Sequence, residues 1–418
     1  MKSKGFLLLK LFALVFAVAV VASACGDDDD TTSADPATDE ATTEDSEAQE
    51  PAAAEGSFML EVDGTEYALP GPPGGILGAL PPDEVFLWKY NFDTGVFEQD
   101  GDEPAPRFDP SPRTASQDWQ IGWSNPWAAL EFSTLLENST IRTAEAAGAS
   151  IVGNCDIEFD PAKALACTET VLQLNPNGAV FPNWQESAAA ASMALYDAAR
   201  VPVINMDVYH PNAIFFGADN FTSGAISGIN TGLYAQETWS CEDVWILLGE
   251  NLSAGDAPDL RLQGFQQGVQ AICDVPDDQV VRIPVDGTTE QGLQSTLDWL
   301  TGNPDAIHPV AASLDDVVTV PMSRAIEQAG REGVASGQGG ELNAIERIYE
   351  GPVEQTKFLG TTAYFPEFYG DFAVAAMIDI LEGKSVPQEI HISHVYLDRD
   401  NIADFYGEDG VLIGDLPS

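Results

Sequence analysis

The sequence predicts an α/β fold of two doubly wound parallel-sheet lobes preceded by a small N-terminal β annex. From Trp119 onward, short apolar runs alternate with helix-length segments about eleven times. Such alternation implies parallel sheets covered on both faces. So many units exceed one comfortable sheet, and 418 residues suffice for two cores on a prior of ~150 residues per domain.

The elements follow in chain order. Lys2 and Lys4 precede an apolar run from Leu11 to Ala22, and Ser23-Ala24-Cys25 closes it. Charged start, apolar middle and small-residue cleavage site make 1–24 a secretory signal. The run is shorter than the ~20 residues a membrane span needs. The small residues before Cys25 resemble a bacterial lipobox, which implies a lipidated thiol at the mature N-terminus. The alternative is an ordinary secretory signal with an incidental cysteine. Residues 25–56 form an acidic linker of Asp, Glu, Ala, Thr and Ser with no aromatic residue, too polar to fold and extended by its own charge.

Residues 57–116 are the Pro-rich β annex. Phe58 to Leu69 carries the hairpin signal Asp63-Gly64, and Glu84 to Gln99 has aromatic strands around Asp93-Thr94-Gly95. Beyond Trp119, strands are expected at Gln120–Ser124, Ser150–Asn154, Ala179–Phe181, Val201–Met206, Phe215–Ala218, Val244–Leu248, Val280–Pro284, Ile307–Ala311, Phe358–Ala363 and Ile390–Val395. Helices are expected between them, among them 161–174, 186–199, 222–238 and 368–382. In open parallel sheets ligands sit beyond the carboxyl ends of the strands, so candidate site residues are sought there.

The chain holds 67 acidic and 17 basic residues, a net charge of −50. This field repels nucleic acid and anionic headgroups, so no nucleic-acid partner is expected. Besides Cys25 there are Cys155, Cys167, Cys241 and Cys273. An even number in an exported chain favours disulfides. Of three possible pairings, Cys155–Cys167 and Cys241–Cys273 keep each bond within one lobe; buried free thiols are the alternative.

Several strand ends together resemble the type I periplasmic sugar-binding proteins. The motifs are Ile121-Gly122-Trp123-Ser124-Asn125-Pro126-Trp127, Phe159-Asp160-Pro161-Ala162-Lys163, Val201 to Asp207, Ala218-Asp219-Asn220, Arg261-Leu262-Gln263-Gly264-Phe265 and Leu381-Glu382-Gly383-Lys384. The resemblance implies lobes joined by a three-strand hinge, with the N-terminal lobe at 117–210 plus 363–388 and the C-terminal lobe at 211–362 plus 389–418. It implies a ligand closed between the lobes and a complex that docks on an ABC permease.

A sugar presents hydroxyls on its rim and C–H surface on its faces, so its pocket needs aromatic plates with carboxylates and amides. On the family's pattern Asn125 and Trp127 supply a hydrogen bond and an aromatic wall. Asn183 and Trp184 follow the third strand, and Asp207 ends the fourth. In the far lobe Asp259 stands where a ligand-binding Arg is usual. Asp315 lies in a Leu-Asp-Asp run where Asn-Asp is usual, Gln338 replaces a second Asp and Tyr364 replaces a Gln. These departures turn the expectation from ribose toward another sugar, a polyol, or a ligand carrying a cationic group.

The expected function is therefore capture of a small sugar or polyol by an extracytoplasmic, lipid-anchored monomer that hands it to an ABC import permease, with no cofactor and no metal. Sensing for a signalling receptor and α/β hydrolase chemistry are the alternatives. Against the latter, His210, His308, His391 and His394 are scattered, His391 and His394 fall on opposite faces of an expected strand, and no P-loop or Gly-x-Ser-x-Gly elbow occurs.

Overall fold

Short, largely apolar strands build the sheets of this computed structural model, which describes residues 58–72, 80, 84–251 and 255–415. The expectations for 1–56, including lipidation of Cys25, lie outside the described residues.

Two β-hairpins come first: β1 (Phe58–Val62) with β2 (Thr65–Leu69), and β3 (Phe86–Asn91) with β4 (Val96–Pro104). Then follow β5 (Gln120–Trp123), α1 (Glu131–Ala147), β6 (Ser150–Val152), α2 (Pro161–Leu172), β7 (Gly178–Phe181), α3 (Glu186–Ala199), β8 (Val203–Met206) and β9 (Ile214–Gly217). The second series is α4 (Asn220–Trp239), β10 (Val244–Glu250), α5 (Asp256–Gln270), β11 (Val280–Pro284), α6 (Thr289–Gly302), β12 (His308–Ala312), α7 (Asp316–Gln328), β13 (Val334–Gly339), α8 (Leu342–Glu350), α9 (Val353–Thr356) and β14 (Phe358–Ala363). The chain ends with α10 (Tyr369–Leu381), β15 (Val386–Pro387), β16 (Glu389–His391), β17 (Val395–Leu397) and α11 (Ile402–Phe405).

Each lobe is built on a six-stranded sheet. The first has the order β16-β9-β8-β7-β5-β6, all parallel. The second has β11-β10-β12-β13-β14-β17, parallel except for the edge strand β17. Strands β7, β8 and β9 are buried at every residue, as strands covered on both faces must be. Asp160, Asp219 and Asp315 cap α2, α4 and α7 by accepting backbone N–H bonds, the use to which a short acidic side chain is suited at that position.

The lobe boundaries differ from those expected. The sequence places 211 onward and 389 onward in the second lobe, yet β9 and β16 belong to the first sheet. The reason is register: Ile214–Phe216 pairs in parallel with Ile204–Met206, and Glu389–His391 with Phe215–Gly217. The chain therefore crosses between the lobes after β9, after β14, and between β16 and β17. The third crossing also interrupts the strand expected over Ile390–Val395, which stops at His391 and resumes at Val395.

The annex divides between the lobes. Leu60, Val62 and Leu69 of the first hairpin are buried against Phe221, Ala225 and Ile229 of α4, with Phe58 edge-on to Phe221 at 5.2 Å. Gly71 and the Gln267 side chain exchange two hydrogen bonds of 2.9 and 3.0 Å. The second hairpin joins the first lobe, where β15 pairs with β3 and Tyr90 and Phe97 enter the main core.

Helices α4 and α5 cross backbone to backbone. A Cβ on Gly224 would lie 2.0 Å from the Arg261 carbonyl oxygen, and one on Gly264 2.1 Å from that of Phe221. Disulfides join Cys155 to Cys167 and Cys241 to Cys273.

Candidate ligand-binding cleft

The cleft lies where the carboxyl ends of the two parallel sheets meet. Trp127, Trp184 and Asp207 follow β5, β7 and β8, while Asp315 and Tyr364 follow β12 and β14 and Gln338 ends β13; all six line one cavity. Parallel strands deliver these residues together because every strand of a sheet ends on the same side.

The first lobe contributes an aromatic wall. Phe159 packs between Trp127 and Trp184, at 6.4 Å from each ring, and Phe132 of α1 lies 6.0 Å from Trp184. Beside this wall stands Asp207, buried and held at a positive φ of 63°. Its Oδ1 accepts the Ala218 N–H at 3.1 Å and the Tyr369 hydroxyl at 2.9 Å, and Oδ2 takes part in neither bond. Gly217 makes the arrangement possible, since a Cβ there would come within 2.3 Å of Asp207 Oδ1. Burial raises the pKa of Asp207 against the opposing pull of the Ala218 N–H and Arg261. The indole N–H of Trp184 also favours the charged form but has no partner within hydrogen-bonding distance.

The second lobe contributes the polar half. Arg261 of α5 donates through Nε to Asn220 Oδ1 at 2.8 Å and through Nη1 to the Leu314 carbonyl at 2.5 Å. Its guanidinium lies over the Tyr364 ring at 5.1 Å, a cation–π arrangement. Burial opposes its charge, yet Tyr364, Asp207 and Asp315 outweigh that and raise its pKa. The hydroxyls of Ser223 and Tyr364 converge on Gln338 Oε1 at 3.0 and 3.2 Å. Gln338 Nε2 is enclosed and has no hydrogen-bond partner among the described residues.

Around this arginine lie three carboxyls. Asp315 caps α7. Asp316 is fully buried and accepts from the Gly340 and Glu341 N–H groups and the Thr361 hydroxyl through Oδ2. Glu341 lines the cavity, and its Oε2 has no partner. Burial pushes all three pKa values up, and their mutual repulsion adds to it for Asp316 and Glu341.

Three other expected site residues lie elsewhere. Asn125 is spent on its own turn, its Oδ1 accepting the Trp127 N–H at 3.0 Å and its Nδ2 donating to Glu137 at 2.7 Å. Asn183 is fully buried, its amide 3.0 Å from His210 Nε2 and its Oδ1 accepting the Gln185 N–H at 3.1 Å. Asp259 pairs with Arg282 at 2.5 Å and accepts from Gln263 at 2.6 Å, outside the cavity. Phe132, Phe159 and Glu341 line the cavity without having been expected there, and Arg261, two residues after Asp259 at the place of a second arginine in the family's pattern, lines it too. Arg261 carried a signal as the first residue of the Arg-Leu-Gln-Gly-Phe motif; Glu341, directly after Gly339-Gly340, carried none.

A family model described as "Periplasmic binding protein domain" matches residues 121–385. Three solved structures share the fold. A solute-binding protein of an ABC transporter from Mycobacterium smegmatis, with bound glycerol, has 18% identity and a TM-score of 0.60, covering 71% of this chain and 99% of its own. One from Actinobacillus succinogenes, with bound D-allose, has 18% identity and a TM-score of 0.59, covering 69% of this chain and 100% of its own. One from Bacillus halodurans, with bound myo-inositol, has 17% identity and a TM-score of 0.57, covering 69% of this chain and 97% of its own. No curated protein sequence matches the chain significantly.

Proposed function

We propose that this chain, which belongs to the periplasmic binding protein domain family, captures a small sugar or polyol between its lobes outside the cytoplasm and delivers it to an ABC import permease. One observation carries the reading: an aromatic wall on one lobe and a set of charged and amide groups on the other line a single cavity. Aromatic faces cover the C–H surface of a sugar ring, while Asp207 Oδ2, Arg261 and Gln338 Nε2 suit its hydroxyls. The neighbours with glycerol, D-allose and myo-inositol bound support the same class. Binding without turnover is part of this reading, supported by a set of groups that offers hydrogen bonds and stacking for a whole molecule.

Lipidation of Cys25 would keep the binder at the membrane's outer face, with 26–56 as its spacer. One acyl chain anchors only marginally, so stable tethering needs several. Mass spectrometry of the membrane-extracted N-terminal peptide checks this, and an unmodified Cys25 thiol would refute it.

The functional test is a thermal-shift screen of the purified protein against monosaccharides, disaccharides, polyols, amino acids and nucleosides. A ligand at ~100-fold excess over its Kd stabilises by about 2.7 kcal/mol. A shift with amino acids or nucleosides but with no sugar or polyol would overturn the assignment.

A further inference from the structure

We infer that the ligand of this cleft is a polyhydroxylated molecule carrying a protonated amine, held between the aromatic wall and the Glu341 and Asp315 carboxylates. The inference rests on the reading of the cleft as a sugar or polyol site and specifies its chemical class.

The first ground is charge. Asp207, Asp315 and Glu341 line the cavity, with Asp316 directly behind, against one lining cation, Arg261. None of the four carboxyls makes an ion pair among the described residues. Arg261 itself spends two donors on neutral acceptors, Asn220 and Leu314. Four buried carboxyls around a single cation are costly: burial raises the pKa of each, and the pull of Arg261 on Asp207, Asp315 and Glu341 does not outweigh it. Among the described residues no group of three His, Cys, Asp or Glu is placed to hold a metal ion, so the missing positive charge is not assigned to a metal.

The second ground is the pattern of unmet hydrogen bonds. Gln338 is fully buried, lines the cavity, and its Nε2 donates to nothing. Trp184 Nε1 is likewise enclosed and unbonded. Both call for ligand oxygens, which hydroxyls supply. Glu341 Oε2 is an enclosed acceptor with no donor among the described residues, which a hydroxyl supplies and an ammonium supplies with charge assistance.

The third ground is the wall opposite. Trp127, Phe159 and Trp184 stand close together on the first lobe and line the same cavity as Glu341 and Asp315. A cation over such faces is attracted by their quadrupoles. A neutral sugar uses the wall and the two donors and donates a hydroxyl to Glu341 Oε2, but it brings no positive charge to the cluster of carboxyls. A neutral amide derivative does the same and is bulkier.

Calorimetric titration of the purified protein with matched pairs tests this: D-glucosamine against D-glucose, D-galactosamine against D-galactose, and N-methylglucamine against D-glucitol, with the N-acetyl hexosamines as uncharged controls. In at least one pair the amine is expected to bind about tenfold or more tightly than its neutral partner, the scale of one charge-assisted contact, and N-acetylation to abolish that advantage. Glu341→Gln is expected to bring the amine-to-neutral ratio toward one; if it fails to fold, Asp315→Asn carries the test. Neutral partners binding as well as the amines would overturn this inference and leave the proposed function standing. A preference unmoved in both variants would also overturn it. Silence from every sugar, polyol and amine would overturn the proposed function together with this inference.

Discussion

His394 Nε2 accepts the backbone N–H of Asp219 at 3.1 Å. A ring nitrogen that accepts carries no proton, so the proton sits on Nδ1, which donates to the Ala363 carbonyl at 3.3 Å. Asp219 belongs to the first crossing between the lobes, Ala363 begins the second, and His394 lies in the third. One neutral imidazole thus ties together three of the chain's passages between the lobes.

Burial lowers the pKa of His394 to about 4, from an ordinary value of 6.5. A depressed histidine contributes its stability fully above the unfolded value and loses it as pH falls through the folded one. His394→Ala is therefore expected to be less stable than the parent by about 1–3 kcal/mol near neutral pH. The gap should narrow between pH 6.5 and about 4. Chemical denaturation across that range measures it, and a gap that does not change with pH would count against a buried neutral imidazole at this position.

Asp207→Asn keeps an acceptor oxygen for Tyr369 and Ala218 while removing a buried charge. The unliganded melt is expected to change by less than about 1 kcal/mol, whereas affinity for ligand falls by at least about tenfold, the worth of a charged hydrogen bond. A large loss of unliganded stability with unchanged affinity would assign Asp207 to the scaffold alone.

Gly264→Ala would press a methyl group into the Phe221 carbonyl, 2.1 Å away. Overpacking of this kind costs about 1–3 kcal/mol or more. Gly302, with nothing within 4 Å of its Cβ position, is the control, and its alanine variant should be neutral or slightly stabilising. Equal melts for the two variants would show that the α4–α5 contact is looser than described.

Alkylation of the unreduced, denatured protein should leave Cys155, Cys167, Cys241 and Cys273 unlabelled, and reduction should free all four. Loss of either loop constraint is expected to lower stability by about 2–4 kcal/mol. Labelling before reduction would refute the pairing.

The fold was legible because the parallel strands are almost wholly apolar and their helices carry clear capping residues, such as Asp160 before Pro161. The strand ends were legible for the same reason, and the family's pattern at those ends marks Trp184, Asp207 and Gln338, which line the cavity. What stayed hidden depends on side-chain direction or on distant partners. Asn125 and Asn183 follow strands as Trp127 and Asp207 do, but each turns back onto its own loop, a choice of rotamer with no trace in residue type. Asp259 is taken by Arg282, 23 residues away, across two elements. The lobe boundary was misjudged because Ile214–Gly217 continues the first sheet, and apolar runs alone do not say which sheet they join.

The last strands of the two sheets, β16 and β17, lie side by side in the sequence, at Glu389–His391 and Val395–Leu397. A chain made from its N-terminus can complete neither sheet until its final few dozen residues have emerged. The hairpins wait as well: Phe58 finds Phe221, and β3 finds Val386–Pro387, only after long stretches of intervening chain are made. Contacts of such sequence separation form slowly, and an isolated hairpin is at best marginally stable. Built in this order, the polypeptide stays open throughout most of its synthesis, the state in which a chain can be threaded across a membrane before it closes.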